Sequence, residues 1–343
     1  MIHDTIILGA GVAGLAAAGV LRRAGRETVV LEKSRGLGGR AATRRWDGLP
    51  VDHGAQFFTA RSPEFTRQVD DWLARGVCHE WTRGFHRYRE GELSPPDGDN
   101  HPRYACREGM SALGRALASQ VDAPIERQAK VVAIRGERGV WILTCEDGRE
   151  VRGRSLVVTA PPPQGETLLA ESAPAAAELL HGIAMDPCLA VVARFPRRDL
   201  AWRGIQSNDA AISWIGHDTS KRPDLHEGKT IVVVHASPAF SRGNYAADES
   251  EIIAALLARA SEISGDDLRS PEAVFLQRWR YAQPVAPRDG GHAVSVEAPA
   301  PLVLAGECFA GGKIEGAWLS GVAAGETLLS RFVAGDGDAT VEM

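Results

Sequence analysis

The chain has 343 residues, 44% of them hydrophobic and 24% charged, with a net charge of −5. That length exceeds one ordinary hydrophobic core and suits two domains, and the composition is that of a soluble globular protein. The acidic balance argues against a nucleic-acid or acidic-membrane partner, and no apolar run approaches the ~20 residues of a membrane helix.

Ile6, Ile7 and Leu8 read as a buried strand, which Gly9-Ala10-Gly11-Val12-Ala13-Gly14 turns into a helix running to about Gly25. A second strand, Thr28 to Leu31, ends on Glu32, 21 residues after Gly11. Strand, glycine turn, helix, strand and acid together form a dinucleotide-binding unit. Gly9 permits the tight turn, Gly11 admits the pyrophosphate, and Gly14 lets helix and strand pack closely. Glu32 is spaced to hold a ribose hydroxyl, and the helix N-terminus, with Ala13 in its first turn, offers free N–H groups to phosphate.

A second glycine loop follows at once, from Lys33 through Gly38-Gly39-Arg40, and then the segment Asp52-His53-Gly54-Ala55-Gln56-Phe57. A protein that binds only a nicotinamide dinucleotide has no need of such a loop. A flavoprotein does, because the loop must close over the pyrophosphate and reach the flavin ring. Ser62-Pro63-Glu64-Phe65 opens a helix that closes near Arg75-Gly76. Residues 77 to 107 are polar, turn-rich and studded with aromatics, with an exposed loop expected over 94–99.

Glu108 to Leu113 begins another helix. Lys130 to Gly136 and Val140 to Cys145 predict paired strands, with a third over Arg149 to Arg154. Ser155 to Ala160 reads as a buried strand stopped by Pro161-Pro162-Pro163. Beyond it come a short helix (Pro174 to His181) and four strand-like runs: Ala190 to Phe195, Ala211 to Ile215, Thr230 to Ala236 and Ala273 to Arg280. Asp248-Glu249-Ser250-Glu251 is a capping box for a helix over Ile252 to Ile263, which Gly265 stops. Strands without long intervening helices favour an antiparallel sheet. Leu302 to Ala305 is a last apolar strand ending in Gly306-Glu307, and the turn Glu315-Gly316-Ala317 starts a helix over Trp318 to Val333, with a loose tail from Gly335.

Gly9–Gly14 with Glu32, Gly38-Gly39-Arg40, Asp52 to Phe57, Arg278-Trp279-Arg280-Tyr281-Ala282 and Gly306 to Gly321 together resemble the FAD-dependent amine oxidase superfamily, and within it the renalase-like branch. The resemblance implies an α/β protein: a Rossmann-like FAD-binding domain of residues 1–57, 108–163 and 286–343, with a substrate or cap domain of 58–107 and 164–285 built on an antiparallel sheet. It implies cofactor contacts from Gly9, Gly11, Ala13, Gly14, Glu32, Lys33, Gly39, Arg40, Ala55, Gln56, Phe57, Val132, Gly306, Glu307, Glu315, Gly316 and Ala317. Val132 would lend backbone groups to the adenine, though a hairpin without ligand contact reads equally well there. Glu307 would hold the ribityl chain, and the helix after Glu315 would face the N1–C2 edge of the ring.

Two departures bear on the substrate. Cys188 to Phe195 lacks the lysine that many amine oxidases place near the flavin, and the Ser-Gly-Gly-Cys-Tyr setting of covalent flavin is absent, so the FAD is expected to be non-covalent. The resemblance then implies oxidation of dihydronicotinamide (NAD(P)H isomer) substrates with dioxygen as acceptor, so a nicotinamide dinucleotide and dioxygen are the expected small-molecule partners. Two other readings stay open: oxidation or desaturation of a small amine or apolar substrate, and a non-catalytic FAD-binding redox sensor. Trp214, His235, Trp279, Arg280 and Tyr281 are the pocket candidates, beside Phe57, Tyr104, Trp202 and Phe240; each reads either as core packing or as ligand contact. Arg278 and Arg280 are expected on alternate faces, one toward a substrate phosphate and one toward solvent.

The five scattered cysteines show no Cys-x-x-Cys and no spaced histidine cluster accompanies them, so free thiols, no metal and a reducing cytoplasm are expected. The first strand begins so close to Met1 that no signal peptide is expected.

Overall fold

Ile6 and Ile7 sit on opposite faces of the strand Ile2–Leu8, and both faces are covered. This strand pairs in parallel with Thr28–Glu32 on one side and Glu150–Val158 on the other. Parallel pairs continue outward to Ile125–Arg127 and to Leu302–Ala305. A parallel sheet buried on both faces explains why these strands read as unbroken apolar runs. Ala293–Val296 adds an antiparallel edge, and Val131–Glu137 and Val140–Cys145 form a meander onto the first half of Glu150–Val158. The computed structural model describes residues 1–338 apart from 97, 99, 226, 227, 289, 290 and 297.

One face of this sheet carries the helices Val12–Arg23 and Lys313–Asp338. They touch backbone to backbone: a Cβ on Gly321 would lie 2.0 Å from the Ala13 carbonyl oxygen. The two glycine-bearing ends of the chain are thereby locked onto one another.

A second sheet has the order Ala273–Pro284, Met185–Pro196, Lys229–Ala236, Ile212–His217, Gly204–Ser207, His86–Arg89, Glu92–Ser94. All pairs are antiparallel except Gly204–Ser207 with His86–Arg89. Leu189, Val191, Val232 and Val234 on its outer face pack against Ile252, Leu256 and Ala260 of the helix Glu249–Ser264. That helix is capped as its sequence predicts, by Asp248 at its start and by Gly265 in the left-handed region at its end. Val192, Ile231 and Val233 on the inner face meet Val51 of the strand Leu49–Asp52. The inner face is thus turned toward the segment that follows the second glycine loop.

Residues 77–107 are more regular than expected, containing His79–Thr82, His86–Arg89, Glu92–Ser94 and Arg103–Ala105. Runs such as His86-Arg87-Tyr88-Arg89 hide a strand because neither face is plainly apolar. In the loop expected over 94–99, positions 97 and 99 lie outside the described residues. The last helix begins at Lys313 and continues to Asp338, so part of the expected tail is helical, and 339–343 lie outside the described residues. All five cysteines are free. Among the described residues no helix is long and apolar enough to cross a membrane, and no cluster of His, Cys, Asp or Glu is placed to hold a metal ion.

Candidate functional site

Gly9 leaves the first strand at φ +106°, a conformation open to glycine, and Gly14 sits so close behind it that a Cβ would lie 1.9 Å from the Gly9 carbonyl oxygen. Around Gly11 the opposite holds, since a Cβ there would meet nothing within 4 Å. The first helix starts at this open corner with no side-chain cap. Glu32 stands beside it, accepting the Ala10 N–H (2.8 Å) and the Ser34 N–H (2.7 Å). Gly38 bridges Gly11, and its N–H donates to Ala10 O at 2.9 Å, so the two glycine loops form one concave backbone surface.

The far end of the chain joins this surface. Arg40 Nη2 donates to Glu307 Oε2 at 2.6 Å, while Nη1 reaches the carbonyls of Tyr281 and Ala282 at 3.4 Å. Gly306 N–H donates to Ser320 Oγ at 2.7 Å. Gly316 packs so tightly that a Cβ would lie 2.2 Å from Ala310 O, and Ala317 packs against the first core. Ala55 N–H donates to Arg40 O at 2.9 Å, seating the Asp52–Phe57 segment on the second loop. An uncapped helix start, an open glycine corner with an acid beside it and a second small-residue turn fit an extended dinucleotide.

Three of the expected cofactor residues have the following surroundings in the protein. Glu315 accepts the N–H groups of Arg61 (3.1 Å) and Ser62 (2.7 Å), so its carboxylate fixes the start of the helix Pro63–Ala74. Lys33 is exposed and donates to Gln164 Oε1 at 3.2 Å. Val132 is 47% exposed at a register shift between Val131 and Ala133.

Across from Asp52–Phe57, the second sheet presents a row of register partners: Trp214 opposite His235, His235 opposite Ala190, and Ala190 opposite Gln277. Trp214 lies across the paired glycines Gly204 and Gly216, whose Cβ atoms would fall 2.3 Å from its Cη2 and 2.6 Å from its Nε1. Its ring packs with Phe57 at 5.4 Å and Phe85 at 4.8 Å. Trp279 stacks on His53 at 5.4 Å and donates its Nε1–H to His53 O at 2.9 Å. Burial, helped by the charge of Lys221 and by His53, pushes the His235 imidazole down to about 3, so it is neutral at physiological pH. His53 Nδ1, Trp214 Nε1 and His235 Nε2 are buried without a hydrogen-bond partner from the protein.

The expectation for Arg278 and Arg280 is corrected. Residues two apart share a face of a strand, and both point away from the Trp279 side. Arg278 donates to the carbonyls of Tyr245 (3.1 Å) and Ala247 (2.9 Å), and the exposed Arg280 sits 5.9 Å from the Tyr245 ring. Arg280 is therefore outside the inner face that carries Trp214 and His235. Trp202 and Phe240 belong to the outer core, and Tyr104 packs on Phe58 at 5.4 Å.

The sequence reading missed a buried ionic cluster. Asp52, Asp218, Lys221 and Arg222 have side chains with no solvent exposure. Lys221 Nζ donates to Asp218 Oδ1 (2.8 Å), Gln56 Oε1 (3.1 Å) and Asp52 Oδ2 (3.2 Å). Arg222 bonds Asp52 and Asp218 and also the carbonyls of Cys106 (3.1 Å) and Pro50 (3.3 Å). Burial opposes ionisation of Asp52, but the Arg222 and Lys221 charges outweigh it and hold the carboxyl at about 2.

Comparison with known proteins locates this architecture. Residues 7–72 match the NAD(P)-binding Rossmann-like domain model, and residues 73–329 match that of the flavin containing amine oxidoreductases. Putrescine oxidase of Kocuria rosea is 37% identical over 101 residues, 29% of this chain and 20% of that one. Polyamine oxidase 3 of Oryza sativa subsp. japonica is 48% identical over 77 residues, 22% of this chain and 13% of that one. These matches therefore span a fifth or less of the curated relatives. Cyclohexylamine oxidase from Brevibacterium oxydans IH-35A superposes with a TM-score of 0.74 at 14% identity, covering 97% of this chain and 100% of that one. A putrescine oxidase bound to putrescine gives 0.73 at 14% identity, covering 96% and 99%. At that identity the likeness shows the fold.

Proposed function

This chain belongs to the flavin-containing amine oxidoreductases, and from that premise we propose that it is a renalase-like FAD-dependent oxidase of dihydronicotinamide isomers with dioxygen as acceptor. In this reading residues 1–57, 108–163 and 286–343 hold the cofactor and 58–107 with 164–285 form the cap. The open face at Gly11 receives the pyrophosphate, Glu32 a ribose, and the Arg40–Glu307 pair the middle of a non-covalent FAD. Bound FAD supplies the two-electron acceptor.

The observation that carries the substrate reading is the row Trp214, His235, Ala190 and Gln277 beside Trp279, facing Asp52–Phe57. Each of these side chains is uncharged, His235 included, and two are broad aromatic surfaces. A dihydropyridine loses hydride to give an aromatic cation directly and requires no general base. An amine is an ammonium ion at neutral pH and must shed a proton first, for which this row offers no ionised carboxylate. The protein's part is to hold a flat ring, to exclude water, and to leave unpaired ring nitrogens for its polar substituent.

Oxidation of a small amine is the second reading, favoured by the names of the local matches, putrescine oxidase and polyamine oxidase. The experiment is anaerobic mixing of the purified yellow protein with 2- or 6-dihydro-NAD(P). Bleaching of the flavin, with recovery and one peroxide per turnover on admitting oxygen, is the expected result. A flavin that stays oxidised with both isomers but bleaches with a diamine establishes the second reading.

A further inference from the structure

The turn Asp218–Lys221 and the residue after it carry three charged side chains into a place closed to bulk solvent. A buried ion cluster of this kind adds little net stability over apolar packing; what it confers is a single geometry. The geometry it confers here concerns Gln56. An ammonium can only donate, so Lys221 obliges Gln56 to turn Oε1 toward it. The amide nitrogen then donates to the carbonyls of Asp52 (2.7 Å) and Gly54 (3.1 Å), tying the bend that leads to Phe57. The same turn also holds the partner of Phe57. Trp81 packs 6.5 Å from the Phe57 ring, donates its Nε1–H to Ser220 Oγ at 3.0 Å and lies 5.4 Å from Lys221 Nζ.

We propose that Lys221 is a positioning residue: through Gln56 it fixes the Asp52–Phe57 segment, whose His53 and Phe57 rings pack on Trp279 and Trp214. The placing of those rings sets how well a planar substrate is held. This rests on the reading that the Trp214–His235 row beside them receives the substrate. Lys221 acts through Gln56, its three donors all being spent on Asp52, Gln56 and Asp218.

The test uses the holoenzyme with Gln56→Leu, Lys221→Met and the double variant. Gln56→Leu leaves the four charges paired, so the fold stands. Each variant is expected to keep one FAD per chain, to raise KM for the dihydronicotinamide isomer about 10-fold with a smaller change in kcat, and to displace the visible flavin band. That is the order expected for one lost hydrogen bond to a charge. The double variant is expected to be no worse in KM than the worse of the two single variants, because Lys221 acts on the segment through Gln56. Unchanged KM and spectrum in Gln56→Leu, or effects that multiply in the double variant, overturn the proposal.

If Lys221→Met does not fold, Gln56→Glu decides: its carboxylate still accepts from Lys221 but cannot donate to Asp52 and Gly54, so KM must rise as in Gln56→Leu. If the wild type itself fails to oxidise either isomer, the substrate reading has failed, and the flavin midpoint potential of Gln56→Leu is read instead. A shifted potential then supports the positioning role, and a wild-type potential overturns it.

Discussion

Arg40 and Glu307, 267 positions apart, form a partly buried ion pair with Nη2 and Oε2 2.6 Å from one another. It joins the second glycine loop to the end of the strand Leu302–Ala305 on the surface proposed for the flavin. Arg40→Ala leaves the largely enclosed Glu307 carboxylate without its partner, a change that costs on the order of 1–3 kcal/mol for a polar group left unsatisfied. We expect a lower Tm and FAD affinity reduced by at least about 10-fold, both read in a fluorescence titration and a thermal melt. Adding Glu307→Gln should recover Tm without recovering FAD. Recovery of both would assign the pair to stability alone.

Gly11 and Gly14 predict opposite phenotypes from the same substitution. A Cβ at Gly11 meets no protein atom within 4 Å, so Gly11→Val should fold with a near-native melting curve and come off the column colourless. At Gly14 the Cβ would lie 1.9 Å from Gly9 O, so Gly14→Val should yield little folded protein. A yellow Gly11→Val protein would mean that the pyrophosphate lies elsewhere.

These two glycines also show what a sequence can disclose. The turn, the helix behind it and the acid at Glu32 are local, and their spacing carries their geometry. The cluster at Asp218–Arg222 could not be read this way. Asp-Thr-Ser-Lys-Arg-Pro has the composition of a solvated turn, and its burial is created by Asp52, 169 positions from Lys221. Of the pocket candidates, Trp214, His235 and Trp279 share the sheet face toward Asp52–Phe57, whereas the two-residue period of a strand puts Arg280 with Arg278 on the opposite face. Glu315 was placed correctly at a helix start, and its partners, the N–H groups of Arg61 and Ser62, depend on a helix docking from elsewhere.

Gly204 and Gly216 make room for the Trp214 indole, so filling either place should lift that ring off the sheet. Gly204→Ala puts a methyl 2.3 Å from Trp214 Cη2 and 2.9 Å from Phe85 Cδ1. Overpacking of this type costs about 1–3 kcal/mol. Urea unfolding should show that loss, and the tryptophan emission of the folded protein should shift. Wild-type stability with wild-type emission would show that the indole has another low-energy pose and that the glycine pair does not fix it.

His235 makes the protein acid-sensitive in a defined window. Its imidazole is held at about 3 in the folded chain, first by burial and then by Lys221 and His53, against an ordinary value of 6.5. Below pH 6.5 the unfolded chain binds a proton here that the folded chain refuses, so stability falls as pH drops, until the folded group also titrates near 3. Between pH 7 and 5 this one group removes about 2 kcal/mol. Asp52, held at about 2, keeps its contribution in that range and begins to lose it only below about pH 4. His53 and His217 are depressed in the same direction but are common to wild type and variant. His235→Gln should therefore lose less stability than wild type from pH 7 to 5, in denaturant melts at matched ionic strength. Parallel losses in the two proteins would show that His235 exchanges protons freely with solvent and does not belong to a closed inner face.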